Sequence, residues 1–484
     1  MPGSFVPTSA EYLRVLPEIV LALAGTQVMV LAALTPARGR RWLGYLGQLG
    51  LWGALAAAVA AQASPGVAFS GLVVVDGFAT FFRVLVIGAA ILVALCSYGY
   101  LQREEAERGE YYALLLYSVA GQSLMAASNE LVLMFIGLEI SSIASYILAG
   151  YLRGDPRANE AAVKYFLLGS FATAFLLYGI AMLYGATGST VLEGIGAALA
   201  RRGAGLLVGA GAALMLVGLA FKVSVAPFQI WAPDVYQGAP APVAAFLSAG
   251  PKAAAFAIFM RVWFTAFAPV SDRWEQVLWA SALATMVIGN FAALVQSNIK
   301  RLLGYSSIAH AGYVLVAITA HSEIGTAAVM FYLAAYVLMN VGAFAVVGFL
   351  AGRGERRLEI DDLAGLGARQ PVTAALMTIF LLSLIGVPLT GGFFGKFYVF
   401  RAALGAGLNW LTVLGLLTSA VAAYYYLRIL VVMYMHEPAE ASEAPPPQGA
   451  ALRLALATCA AGTLLLGIFP SAILGFVNAA AGAR

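Results

Sequence analysis

Two cysteines, three histidines and five lysines in 484 residues limit the chemistry before any motif is read. Cys96 and Cys459 both lie in apolar runs. Two thiols cannot build a cysteine-ligated iron–sulfur cluster or a cysteine-rich zinc site, and both read as small core hydrophobes. Charge is also scarce. Asp, Glu, Lys and Arg make up 10% of the chain, against roughly 25% in soluble globular domains. Hydrophobic residues reach 62% and the mean hydropathy is +0.88, so the chain is expected to be an all-α polytopic membrane protein with no soluble domain. The net charge of +4 comes from loop arginines and points to no nucleic-acid partner. The start, MPGSFVPTSAEYLRVLPE, lacks the basic n-region of a cleavable signal. No phosphate-cradling or dinucleotide motif appears.

Apolar stretches of about 20 residues, the length of a bilayer crossing, recur with short polar breaks. They fall near 14–34, 42–62, 73–99, 111–128, 130–151, 158–187, 205–226, 240–265, 275–297, 301–320, 324–351, 372–404, 409–435 and 450–476, predicting about 14 transmembrane helices. The Pro/Glu-rich stretch 436–449 reads as a loop. Basic residues divide fifteen to seven between the odd-numbered connections, from Arg38 to Arg453, and the opposite side, which includes Arg14, Arg261 and Arg484. That asymmetry puts the odd connections in the cytoplasm and both termini outside.

The lysines are distributed unlike the arginines, which are the other 22 of the 27 basic residues. Lys164, Lys222, Lys252 and Lys396 lie inside membrane-length apolar runs, while Lys300 lies at a segment edge. A guanidinium stays protonated in proteins, whereas a buried ammonium can give up its proton. The pattern suits buried cations that exchange protons. Two segments are also interrupted. Pro227 and Pro233 break the seventh, which holds Lys222; Pro388, Gly391 and Gly392 break the twelfth, which holds Lys396. A break at membrane depth is tolerated only where protein or a water-filled cavity satisfies the freed backbone. Paired breaks predict an inverted-repeat transporter with ion sites at the interruptions, the alternative being kinks that serve packing.

Glu139 lies about nine residues into its segment, where an ionised carboxylate costs at least ~2.5 kcal/mol unless it has a partner inside the bundle. Lys222 is the expected partner, either in a structural ion pair or in one that holds the lysine protonated until Glu139 is neutralised. His310 in GYSSIAHAGYV reads either as a core histidine or as a relay with Ser306, Ser307 and Tyr313 at helical spacing. His321 and His436 sit at segment ends and receive no role. Glu18 in the first segment and Arg83 in the third are also candidates; the alternative readings are that Arg83 snorkels or pairs with Asp76 and that Glu18 lies near an interface.

Three stretches, FKVSVAPFQIWAPDVYQGAPAPV, NIKRLLGYSSIAHAGYV and GVPLTGGFFGKFYVF, resemble the antiporter-like subunits of proton-pumping NADH:quinone oxidoreductase, respiratory complex I. The resemblance covers essentially the whole chain. Gln229 and Tyr236 stand where subunits L and M and the sodium/proton antiporters carry histidines. Lys396 stands where subunit M has a glutamate, and no lateral helix of the subunit L kind appears. The wording is closest to the subunit N branch.

The resemblance implies two inverted five-helix repeats, helices 4–8 and 9–13, with helices 7 and 12 broken. The corresponding divisions are 1–105, 106–268, 269–436 and 437–484. It further implies a proton path through Glu139, Lys222, Lys252, His310 and Lys396, with Lys164 matching a lysine of some members. Pro251 departs from the family pattern, since a small or hydroxylic residue is expected before Lys252, and this puts the helix geometry there in question. The chain is expected to bind no cofactor. NADH, flavin, iron–sulfur clusters and quinone would belong to other subunits, and its partners would be other membrane-arm subunits and the bilayer. The alternatives are a multi-subunit cation/proton antiporter subunit, the equivalent subunit of a ferredoxin-driven photosynthetic relative, and a scaffold that does not pump.

Overall fold

The computed structural model describes residues 7–36, 40–437 and 448–482. Arg38 and Arg484 of the charge count, and most of the stretch 436–449, lie outside the described residues. Within them the chain forms twenty α-helices and one two-stranded hairpin.

A short helix α1 (Ser9–Arg14) precedes α2 (Leu16–Leu34), α3 (Arg41–Ala61) and α4 (Gly77–Arg103). There follow α5 (Gly109–Ala127), α6 (Leu131–Ala149), α7 (Pro156–Thr187), the amphipathic α8 (Leu192–Arg202), α9 (Leu206–Val223), α10 (Ala232–Gly238) and α11 (Ala241–Arg261). The second half holds α12 (Ser271–Leu294), α13 (Ile299–Thr319), α14 (Glu323–Leu350), α15 (Leu366–Arg369), α16 (Pro371–Ile385), α17 (Gly391–Gly405) and α18 (Asn409–Met435). The chain closes with α19 (Ala450–Ile468) and α20 (Ser471–Gly482).

Among the described residues, twelve spans are long and apolar enough to cross a membrane. The two remaining predicted segments are the more polar α5 and the pair α16–α17, each half of which is 15 residues long. The fourteenth predicted segment is two helices, because Pro470 interrupts it between α19 and α20. The hairpin (Gly66–Ala68 with Val73–Val75) and α8 were not expected from hydropathy.

Local chemistry sets the helix ends. Asp155 caps α7 by accepting from the Arg157 amide, with Pro156 in the first turn, and α7 stops at Gly188 with φ +76. Outside the spans, burial favours a neutral Asp155 carboxyl. The hydrogen bonds from Arg157 outweigh that and hold its pKa below the ordinary value. Asn298 and Ser322 cap α13 and α14 in the same manner.

The two halves pack alike. α5 lies on α6 as α12 lies on α13, α7 on α9 as α14 on α16 and α17, and α11 on α5 as α18 on α12. Five crossings in each set, an odd number, would bring the second set in from the face opposite to the first, the arrangement expected of inverted repeats. The spans of α11 and α13 are 94% buried. Most groups on these two helices, Lys252 and His310 included, are therefore enclosed by protein.

Candidate functional site

Each interruption of the backbone is satisfied by side chains. α9 ends on Ser224 in the left-handed region (φ +60). Beyond it the Ala226 amide donates to Thr285 Oγ1 at 2.8 Å, and Ser281 Oγ donates to the Ala226 carbonyl at 2.6 Å. Both hydroxyls belong to α12, so the second half satisfies the break in the first. Trp231 Nε1 caps the Phe221 carbonyl at 2.9 Å. At the other break, α16 ends on Gly386 (φ +90), and Lys396 Nζ reaches back to the last carbonyl of α16, Ile385, at 2.8 Å. The α16 half-helix thus presents its negative C-terminal end to the Lys396 ammonium, while Lys222, in the last turn of α9, reaches across to α6.

Lys222 does not meet Glu139. Its Nζ donates to Ser142 Oγ at 2.6 Å and Tyr146 OH at 3.0 Å, and stands 5.1 Å from the Tyr146 ring centroid. Ser142 and Tyr146 follow Glu139 by three and seven residues, so all three share a face of α6. Glu139 is half-buried, and its Oε1 is enclosed without a hydrogen-bond partner among the described residues. The expected direct ion pair is replaced by a lysine held by hydroxyls one turn along the same helix.

At the centre, Lys252 Nζ donates to Ser307 Oγ at 2.5 Å and to the Ser307 carbonyl at 3.0 Å. Tyr336 OH donates to the same Ser307 Oγ at 2.8 Å. Pro251 does not interrupt α11, which continues to Arg261. His310 Nδ1 lies 2.7 Å from Tyr332 OH, and its Nε2 3.4 Å from Tyr426 OH. The partners expected from helical spacing bond elsewhere: Ser306 to Tyr426, Ser307 to Lys252, and Tyr313 to Asn290 at 3.0 Å. Tyr313 instead presents its ring edge-on to His310, and Lys396 Nζ stands 4.9 Å from that ring centroid. Lys396 also donates to Ser419 Oγ at 2.7 Å. A file of three polar groups, Lys252–Ser307–Tyr336, Tyr332–His310–Tyr426 and Lys396–Ser419, therefore lies between Lys252 and Lys396, with the rings of Tyr336 and Tyr313 packed on His310 between them, inside otherwise apolar packing.

Lys164 sits apart from this file. Its side chain is 41% exposed and pairs with Glu160 at 2.7 Å and with Asp234 at 2.6 Å, and Asp234 also binds Arg301 at 2.6 Å.

A family model described as NADH:quinone oxidoreductase/Mrp antiporter, TM, matches residues 128–422, a range that includes Glu139, Lys222, Lys252, His310 and Lys396. A relative from Solibacter usitatus (strain Ellin6076), named NADH-quinone oxidoreductase subunit N 1, is 62% identical over 482 residues and covers 99% of each chain. The chain belongs to the NADH-quinone oxidoreductase subunit N family. Among solved structures, a chain of respiratory complex I from Thermus thermophilus aligns with a TM-score of 0.82 at 37% identity, covering 96% of this chain and 99% of that one. A chain of the Mrp complex from Dietzia sp. DQ12-45-1b aligns at 0.85 with 23% identity, a likeness of fold alone.

Within this subunit N chain, three further buried charges have partners that sequence separation hides. Arg83 is fully buried and pairs with Glu18 at 2.8 Å instead of Asp76, and Ser123 donates to the same carboxylate oxygen at 2.6 Å. Asp76 pairs with Arg261, which the charge count had placed in a loop. Lys300, expected at a segment edge, is fully buried against Glu355 at 2.5 Å. The tyrosines that serve His310 come from α14 and α18 and were not singled out in the sequence. Two tyrosines one helical turn apart in α14, Tyr332 and Tyr336, were the available signal.

Proposed function

We propose that this chain is the membrane-arm subunit N of a proton-translocating NADH:quinone oxidoreductase. It moves protons along Glu139, Lys222, Lys252, His310 and Lys396, driven by redox chemistry in other subunits. The observation that carries the reading is the enclosed polar file Lys252–Ser307–Tyr336, Tyr332–His310–Tyr426 and Lys396–Ser419.

Each lysine in the file contacts at least one hydroxyl that both accepts and donates, so a proton leaving an ammonium has an acceptor within hydrogen-bond reach. His310 contacts hydroxyls through both ring nitrogens, so a proton gained on one nitrogen is released from the other. Glu139, one turn from the Lys222 partners, favours the ammonium when ionised and its release when neutralised. Lys164, held by Glu160 and Asp234, stays outside the file.

Cofactors of the redox reaction lie in other subunits, and the partners are neighbouring membrane-arm subunits in a bacterial cytoplasmic membrane. The arginine asymmetry supports both termini on the outer face. The units of function are 1–105, the repeats 106–268 and 269–436, and 437–484. Reconstituted complex carrying Lys396→Met tests the reading through protons moved per electron. The expected result is an assembled complex with reduced pumping, and unchanged stoichiometry and rate would overturn it.

A further inference from the structure

The buried ion pair Lys300–Glu355 lies outside the file just described. Glu355 belongs to the connection after α14 and is 6% exposed, with φ +48. A residue other than glycine held there costs of order 1 kcal/mol or more, so the surrounding contacts must fix it. Its Oε1 accepts from Tyr100 OH of α4 and from the backbone amide of Ala241, the first residue of α11, both at 2.7 Å. Its Oε2 accepts from Lys300 at 2.5 Å. Lys300 also donates to the carbonyl of Ala239, the C-cap of α10. One ion pair thus ties α4, the α10–α11 junction and the first turn of α13 together.

Two of those helices carry Lys252 and Ser307. Lys300 and Ser307 are seven residues apart on one face of α13, about 10 Å along the axis, so a shift at the pair is carried to the Ser307 hydroxyl. We propose that Lys300 and Glu355 are positioning residues that hold α11 and α13 in the register at which Lys252 meets Ser307. The inference rests on the translocation reading above. Lys300 acts here as a fixed cation and not as a proton carrier.

The test compares Lys300→Met, Lys300→Arg, Glu355→Gln and the double variant Lys300→Met/Glu355→Gln in assembled complex. Quinone-linked kcat, quinone KM and proton pumping are read per complex. Misplacement of about 1 Å can cost up to ~100-fold, and we expect a fall in kcat of about tenfold for Lys300→Met and Glu355→Gln, with KM unchanged. Lys300→Arg, which keeps the cation and its donors, should retain most of the activity. A proton-carrying Lys300 would instead fail equally as arginine, and that result overturns the proposal.

The double variant leaves no unpaired buried charge, so it assembles even where a single variant does not. It should remain slow, because the bridge from α13 to Ala239 is gone. Wild-type pumping by the double variant would show that the pair only neutralises its own charge, and would also overturn the proposal. Loss of pumping in Lys396→Met alongside such a normal double variant would leave the translocation reading standing while this inference fell.

Discussion

Replacing Gly392 by alanine should disable the second half of the path without touching any titratable group. A Cβ built on Gly392 would lie 1.8 Å from the Ser383 carbonyl oxygen and 2.8 Å from its carbon. Carbon–oxygen contacts settle near 3.3 Å, so α17 must withdraw from α16 by about 1.5 Å. Overpacking of this kind costs about 1–3 kcal/mol. Lys396 follows Gly392 by one helical turn and moves with it. Its bonds to Ile385 (2.8 Å) and Ser419 (2.7 Å) would stretch beyond hydrogen-bond length. Hydrogen bonds to a charged group contribute about 1.5–3 kcal/mol each. If half of one such contribution is needed for transfer, turnover falls by about tenfold. The control is Gly405→Ala in the same helix, where a Cβ meets nothing within 4 Å. Quinone-linked turnover and proton pumping, normalised to assembled complex, compare the two. Equal pumping by Gly392→Ala and Gly405→Ala would refute the argument that close apposition at the break sets the position of Lys396.

Tyr332→Phe removes the 2.7 Å partner of His310 Nδ1 and keeps the ring; the lost bond of about 1 kcal/mol predicts a three- to tenfold slower coupled turnover, and an unaffected rate would take Tyr332 out of the file. Glu139→Ala should assemble and pump poorly while Glu139→Asp is milder, measured by acidification of inverted vesicles, and full pumping in the alanine variant would remove Glu139 from the mechanism. Arg356 is exposed in the connection after α14; a thiol at Arg356→Cys should react with an impermeant reagent only from the cytoplasmic face, and labelling of intact cells from outside would reverse the assigned orientation.

Hydropathy and two Pro/Gly clusters were enough to read the crossings and both breaks, because bilayer thickness and backbone satisfaction act locally along the chain. The special lysines were legible for the same reason, as charges inside apolar runs. Their partners were not. Glu139 and Lys222 were matched by charge, but the fold gives the lysine to Ser142 and Tyr146, one turn further along α6. Arg83 was assigned the nearest acid in sequence, Asp76, yet α2 packs so that Glu18 reaches it across 65 positions. Lys300 lay at a segment edge by hydropathy. A connection 55 residues away folds inward to bury it, which no local pattern encodes.

The account stands on the claim that the buried lysines exchange protons and do not merely supply charge. The most direct measurement is proton pumping by assembled complex in liposomes for Lys222→Arg and Lys396→Arg, each beside its methionine counterpart. Arginine keeps the charge but holds its proton throughout turnover, while methionine keeps length and loses charge. Relay predicts arginine variants that pump nearly as poorly as the methionine variants, in complexes that assemble normally. Wild-type pumping by both arginine variants, with failure of both methionine variants, would make these lysines structural cations and contradict the account.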